Sequence, residues 1–290
     1  MYFQKYEACG NDYVLVDTDV CGELDWPRLA KELCKRRFSV GADGLLVVSS
    51  AASDEAHARM RIFNSDGSEA DMCGNGVRCV AKYFFTKYIA ASYVIKNGDK
   101  YGISDVDSSV SCNITVVAKI QTNCGVKAVT RRNSSGGECF SVNMGSAQVG
   151  KSFTLAVLDR VFSVVPVNVG NPHAVIFLVD NVNDFPLEKY APLIENDAMF
   201  PYKTNVEFAF VSSRDEIISK IWERGVGETL SCGTGACAVF AAALSLGLVG
   251  SRARIVQPGG TLVTSSFGSD ITLDGEARHV YDGEYISMHF

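Results

Sequence analysis

Apolar residues along this chain alternate in some stretches and recur with helical spacing in others, and the two periods lay out its elements. Residues 2–17 alternate on both sides of Cys9-Gly10-Asn11-Asp12, which predicts a strand, a tight loop and a second strand. Trp26, Leu29, Ala30, Leu33 and Phe38 have helical spacing, with Pro27 suited to a first turn. Gly41 to Gly44 reads as a turn, Leu45 to Val48 as a buried strand, and residues 57–63 as a strand running into Asn64. A helix is predicted from about Val77 to Tyr88, then short strands over 92–120 with turns at Asn97-Gly98 and Asp105 to Ser109. The small, polar run 133–137 is the best candidate for a linker. Beyond it come a strand at Cys139 to Met144, a valine-rich hairpin over 153–168 and helical spacing at Leu187 to Ile194. Strands follow at Val206 to Val211 and Ile217 to Trp222, then a helix at about Gly235 to Leu246. Closing strands include Val280-Tyr281-Asp282-Gly283 and Tyr285 to His289.

The pattern contains itself twice. Met72-Cys73-Gly74-Asn75-Gly76 recurs as Ser231-Cys232-Gly233-Thr234-Gly235, each followed by an apolar helical run, at an offset of 232 − 73 = 159. Gly10-Asn11-Asp12-Tyr13-Val14 is echoed by Gly170-Asn171-Pro172-His173-Ala174 at 170 − 10 = 160. Two echoes at nearly one offset argue for two copies of one domain. The expected division is residues 1–137 plus 276–290 for the copy that carries Cys73, and 138–275 for the copy that carries Cys232.

Composition narrows the picture only a little. The hydrophobic fraction of 47% and charged fraction of 21% over 290 residues are those of a globular protein with ample core. A net charge of −6 speaks against a nucleic-acid partner. Lys35-Arg36-Arg37 and Arg131-Arg132 read as solvated surface. No apolar run reaches membrane-spanning length and no secretory signal is visible, so the expectation is a cytoplasmic protein without a membrane partner. The 10 cysteines are then mostly free thiols, with Cys9, Cys34, Cys79, Cys112 and Cys237 as core filler.

The chemistry gathers at the repeated cysteines. Each stands on a glycine-rich loop opening a helix, where backbone N–H groups and the helix dipole converge. That setting is expected to lower a thiol's pKa and to hold a carboxylate. Two such thiols could serve as an acid/base pair, one on each face of a stereocentre, with the N–H groups stabilising a carbanion beside the carboxylate. A lone Cys-Gly is most often structural. The C-x5-C and C-x4-C spacings are not those of a zinc knuckle, and with only four histidines no metal is expected. Gly233 to Ala238 matches a dinucleotide fingerprint but lacks the preceding buried strand, and no G-x-S-x-G elbow is present. His173 is a structural residue or an assisting group beside the cleft. Glu223-Arg224 is a surface pair or a clamp for an amino-acid head, with Arg224 on its carboxylate.

Taken together, Gly10-Asn11-Asp12, the run Asn64 to Cys79, Gly170-Asn171-Pro172-His173, Asn205, Glu223-Arg224-Gly225, Cys232-Gly233-Thr234-Gly235 and Val280-Tyr281-Asp282-Gly283 resemble the diaminopimelate epimerase family. These are two-cysteine enzymes of lysine synthesis that use neither pyridoxal phosphate nor metal. The resemblance covers nearly the whole chain. It implies two similar α/β domains related by a pseudo-twofold axis. Each would be a strongly curved, mostly antiparallel sheet wrapped around a central helix, with the site between them and the last strand returning to the first domain. It implies Cys73 and Cys232 as the base/acid pair, assisted by His173 and Glu223. Asn11, Asn64, Asn171, Asn205, Glu223 and Arg224 would hold an amino-acid substrate, together with Gly74-Asn75 and Gly233-Thr234. Tyr281 would lie at a homodimer interface. The implied reaction interconverts LL- and meso-2,6-diaminopimelate with no cofactor. One departure is Gly44, where some members carry glutamine; the segment from Cys112 to Cys139 fits no pattern. Related racemases for other amino acids share the scaffold. A redox-switchable amino-acid-binding protein, in which the two cysteines join on oxidation, is the reading from a different class.

Overall fold

A computed structural model of the chain describes residues 1–89, 116–134 and 137–286. The strands and turns expected over 92–115, and the last residues of the closing strand, lie outside the described residues. The chain divides into two compact units, Met1–Val142 with Glu276–Phe290, and Asn143–Gly275. The small, polar run 133–137 falls at the turn of a hairpin, Gly125–Ser134 against Gly137–Ser146, and the division comes after it. Composition marks such a run as a turn but cannot say whether the turn joins strands or domains.

The first unit opens with the expected hairpin. Tyr2–Ala8 and Asn11–Asp17 pair through Ala8 and Asn11, which leaves Cys9-Gly10 as a two-residue loop. Both loop residues have positive φ, 52° and 81°, the conformation that matches a hairpin's twist. Asn11–Asp17 then runs parallel to Gly44–Ser49, which pairs antiparallel with Ala58–Asn64. Val116–Thr122 lies parallel to the start of Ala58–Asn64, and Gly125–Ser134 folds back on it. Arg278–Glu284 returns to pair antiparallel with Tyr2–Ala8. The helix Gly74–Ile89 lies inside this sheet, in contact with seven of its strands, Tyr2–Ala8, Asn11–Asp17, Gly44–Ser49, Ala58–Asn64, Val116–Thr122, Gly125–Ser134 and Arg278–Glu284. A central position explains why Val77, Cys79, Val80, Ala81 and Phe85 are all at or below 1% exposure, more than one helix face can bury against a flat sheet.

The second unit repeats the plan. Arg160–Asn168 and Pro172–Phe177 form its hairpin, and Pro172–Phe177 runs parallel to Asn205–Ser213. Glu216–Glu223 pairs antiparallel with Asn205–Ser213 and parallel with Arg252–Gln257. Gly260–Phe267 and Asp270–Glu276 complete the antiparallel series. Its helix, Gly233–Ser245, is buried almost all round. In each unit a second, amphipathic helix covers the outer face. Trp26, Ala30 and Leu33 pack on Val14, Val16, Leu45 and Val47, while Leu187, Tyr190, Ala191 and Ile194 pack around Phe162, Phe185 and Phe208.

Two sequence expectations are adjusted. The first outer helix ends at Leu33, and Phe38 is 90% exposed. Its helical spacing is fortuitous, because Arg37 has already turned to φ 71°. Arg36 is not simply solvated: its guanidinium reaches Asp12 at 2.5 Å and Asp43 at 2.7 Å, tying the first hairpin to the turn before Gly44.

Each central helix is seated on its sheet through a glycine in the first turn. A Cβ at Gly76 would lie 2.9 Å from Leu46 Cδ2, and one at Gly235 would lie 2.6 Å from Ile221 Cδ1 and 2.9 Å from Glu207 Oε1. In an open helix, exchanging glycine for alanine gains roughly 0.5–1 kcal/mol. Here the added methyl overpacks, and Gly235→Ala is expected to cost about 1–3 kcal/mol. Urea melts of the two proteins check this; a higher midpoint for the variant would show that the seat has room.

Candidate functional site

In the first unit Cys73 caps the central helix. Its carbonyl accepts the Val77 N–H at 2.9 Å, and its Sγ lies 3.5 Å from the Gly76 nitrogen, which donates to it. The thiol is therefore bonded to a helix N-terminus, as the loop sequence predicts. The Tyr13 hydroxyl is 3.2 Å from the same sulfur. Beneath the loop, Arg78 is fully buried. It donates to Asn75 Oδ1 at 2.6 Å, to the Gly74 carbonyl at 3.4 Å and to the Glu276 carbonyl at 3.2 Å, and contacts Cys9 Sγ at 3.4 Å. A buried guanidinium with neutral acceptors fixes Gly74-Asn75 and leaves positive charge under the helix start. Asn75 turns its amide oxygen to Arg78, so what this loop offers a ligand is its backbone.

The flanking asparagines take their places in the strands. Asn11 begins the second strand of the hairpin opposite Ala8. Asn64 ends its strand opposite Gly44, and its side chain donates to the Ser68 hydroxyl at 3.0 Å. Tyr281, on the closing strand opposite Lys5, is 43% exposed beside Val280 at 55%, with its ring edge-on to Phe3 at 6.1 Å.

In the second unit Cys232 is the corresponding cap, with extended φ and ψ of −133° and 123° and its carbonyl accepting from Ala236 at 2.9 Å. Its Sγ is 3.3 Å from the Thr234 hydroxyl. Its own N–H donates to Gln257 Oε1 at 3.1 Å, an oxygen that also accepts from the Ser231 hydroxyl at 2.8 Å. A polar chain leads away from the thiol. Asn171 Nδ2 lies 3.5 Å from the Thr234 hydroxyl, Asn171 Oδ1 lies 3.0 Å from His173 Nε2, and His173 Nδ1 lies 2.6 Å from Glu207 Oε1. Asn171 presents its oxygen to the ring, so Nε2 carries a proton. Burial pushes the Glu207 carboxyl up, against the pull of His173, and its Oε2 has no hydrogen-bond partner.

Asn205 and the Glu223-Arg224 pair sit beside this chain. His173 is the register partner of Asn205. The Asn205 side chain donates to the Pro172 carbonyl at 2.9 Å and accepts the Arg224 N–H at 2.9 Å, so it fixes two of the neighbouring segments. Glu223 accepts the Thr229 hydroxyl at 2.5 Å. The Arg224 guanidinium is exposed and donates to the Tyr202 carbonyl at 3.1 Å.

One expectation is reversed. The helix N-terminus was expected to lower the thiol pKa, yet Cys232 is pushed well above the ordinary value. Complete burial is the main cause and the negative charge of Glu223 the next; the Thr234 hydroxyl and the Gly235 backbone pull the other way and lose. Other functional residues escape a reading by motif. Glu207 and Gln257 sit in apolar-looking strands, and Tyr13 reads as an ordinary strand aromatic. For Tyr13 a signal existed, since it stands opposite His173 in the repeat, at 173 − 13 = 160.

The sequence model of the diaminopimelate epimerase family matches residues 3–111 and 165–280. A diaminopimelate epimerase of Halothermothrix orenii is 38% identical over 289 residues, covering 98% of this chain and 97% of the relative. That of Carboxydothermus hydrogenoformans is 40% identical over 289 residues, covering 98% and 99%. Among solved structures, a phenazine biosynthesis protein of the PhzF family from Bacillus anthracis superposes with a TM-score of 0.70 over 99% of both chains at 16% identity, a likeness of fold. The chain belongs to the diaminopimelate epimerase family.

Proposed function

We propose that this protein interconverts LL- and meso-2,6-diaminopimelate by direct proton transfer at the α-carbon, with Cys73 and Cys232 as the two bases and no cofactor. The observation that carries the reading is the duplicated cap: in each unit a cysteine ends a loop at the N-terminus of a buried helix. The full-length likeness to diaminopimelate epimerases supplies the substrate. One thiolate takes the α-proton, and the other cysteine, as thiol, gives its proton to the opposite face. The product leaves with the two protonation states exchanged; that form catalyses the reverse reaction, and proton exchange with solvent restores the first form for the next forward turnover. The intermediate places negative charge on the substrate carboxylate, where N–H groups at Gly74-Asn75 and Gly233-Thr234 serve as donors.

The two units suit different halves of that exchange. Burial and Glu223 keep the Cys232 proton on sulfur in the resting protein, whereas Cys73 accepts from the Gly76 N–H on a loop whose Gly74 carbonyl and Asn75 side chain are held by buried Arg78. Cys73 is then the resting base and Cys232 the resting acid. His173 and Glu223 assist at Cys232, His173 through Asn171 and Thr234. Asn11, Asn64, Asn171, Asn205, Glu223 and Arg224 hold the substrate. The exposed Tyr281 and Val280 form the centre of a homodimer interface. Action on a small soluble amino acid supports a cytoplasmic location; no helix among the described residues is long and apolar enough to cross a membrane.

Proton NMR of LL-diaminopimelate in D2O with reduced protein is expected to show loss of the α-proton signal and growth of the meso isomer. Cys73→Ala and Cys232→Ala are each expected to lose inversion by at least about a hundredfold, the low end for an essential acid/base group. Wild-type inversion by either variant would remove the two-base assignment, and faster turnover of glutamate or histidine would move the substrate elsewhere. Alkylation of Cys232 by iodoacetamide is expected to have its midpoint well above the free-cysteine value of about 8.5 and to move down in Glu223→Gln; a midpoint below neutrality would overturn the resting-acid role. For the dimer, Tyr281→Asp is expected to halve the mass measured by light scattering.

A further inference from the structure

The two units place different groups at one shared position. Tyr13 lies on the second strand of its hairpin, in parallel register with Gly44; His173 lies on the second strand of the other hairpin, in parallel register with Asn205. The repeat relates them, since 173 − 13 = 160 and 205 − 44 = 161. In the second unit the ring at this position reaches the thiol only through Asn171 and Thr234. In the first, the tyrosine hydroxyl lies directly on Cys73 Sγ at 3.2 Å. The ring is 4% exposed, and the strand beside it supplies Gly44, where a Cβ would stand 3.5 Å from Tyr13 Cδ1 and 2.9 Å from the Phe63 carbonyl oxygen. The strand thus approaches the ring with backbone alone, and the hydroxyl is carried to the sulfur on a rigid support.

We propose that Tyr13 is a positioning residue for the Cys73 base, its hydroxyl donating to the thiolate and accepting from the thiol as the proton comes and goes. No proton leaves the tyrosine; rotation of the O–H exchanges donor for acceptor. A hydrogen bond to the charged form favours that form, so the hydroxyl holds Cys73 more acidic than its neighbours alone would. Cys73 and Cys79 bear on each other through charge, and Arg78, Glu7 and Cys9 bear on Cys79. Asp12 and Asp43, adjacent in sequence to Tyr13 and Gly44, are engaged by Arg36. The contact also aims the sulfur, because the Gly76 N–H and the Tyr13 hydroxyl approach it from the helix and from the sheet.

This inference rests on Cys73 being one of the two bases, and its test separates the two ideas. The experiment compares pH profiles of kcat/KM for wild type and Tyr13→Phe in both directions, LL to meso and meso to LL. Wild-type inversion in the same assay establishes the reaction; its absence would overturn the base assignment and this inference together. In the variant, Cys73 loses a donor to its thiolate. In the direction where Cys73 is the base, the acidic limb is expected to move up by about one pH unit. Both directions draw on the singly protonated enzyme, so the acidic limb is expected to move up by the same amount in the other direction too. The alkaline limb, set by Cys232, is expected to stay in place in both directions. A merely structural role would lower rates in both directions without moving any limb, and that outcome, like profiles that superpose on wild type, would overturn the proposal. Removing one hydroxyl keeps the ring and its packing, and an unchanged thermal midpoint for Tyr13→Phe confirms that the comparison is between folded proteins.

Discussion

Everything in this molecule depends on how closely a helix N-terminus can be pressed onto a sheet that wraps around it. The cysteine must end the loop, the first-turn N–H groups must stay open, and the turn must sit low enough for strand residues to reach the sulfur. Gly76 and Gly235 make that possible, because a Cβ at either would collide with the strands beneath. The same close approach puts Tyr13 in reach of Cys73.

On that shared frame the two copies have diverged in charge. Under the first helix start the strand offers Leu46, and the helix supplies buried Arg78. At the equivalent places the second unit has Glu207, at 207 − 46 = 161, and Cys237, at 237 − 78 = 159. One cysteine loop is thus held by a buried cation, and the charges of two carboxylates, Glu223 and Glu207, bear on the other thiol. Two bases of equal tendency would compete for the same proton state. Unequal surroundings suit one thiol to the base and the other to the acid of the proposed reaction. The cost is a buried carboxyl with an oxygen that finds no partner, Glu207 Oε2, the kind of local penalty that functional sites carry.

The polar residues around the second thiol act less as isolated contacts than as a connected chain. His173 is held on one side by Glu207 and on the other by Asn171, and Asn205 spends both ends of its amide on backbone groups. Such networks order the loops that carry Arg224 and Thr234, because a buried polar group left unpaired costs more than its bond returns. Arg224, exposed at the end of its strand, keeps its guanidinium toward solvent and the Tyr202 carbonyl.

The sequence by itself determined the duplication, the strand and helix order and the two cysteine loops. These follow from short-range causes: alternation, helical spacing, glycine at tight turns and a motif repeated at a fixed offset. It misjudged Phe38, whose spacing fits a helix that stops at Leu33, and Arg36, whose ion pairs join residues far apart in the chain. Only the tertiary structure decided the electrostatics of the thiols. The helix N-terminus argued for an acidic Cys232, and burial beside Glu223 reversed it. Glu207, Gln257 and Tyr13 gained their roles in the same way, by strand register placing each beneath a cysteine loop. Local periodicity records which residues are buried together; it does not record which buried group faces which sulfur, and desolvation and charge at that distance set the acidity.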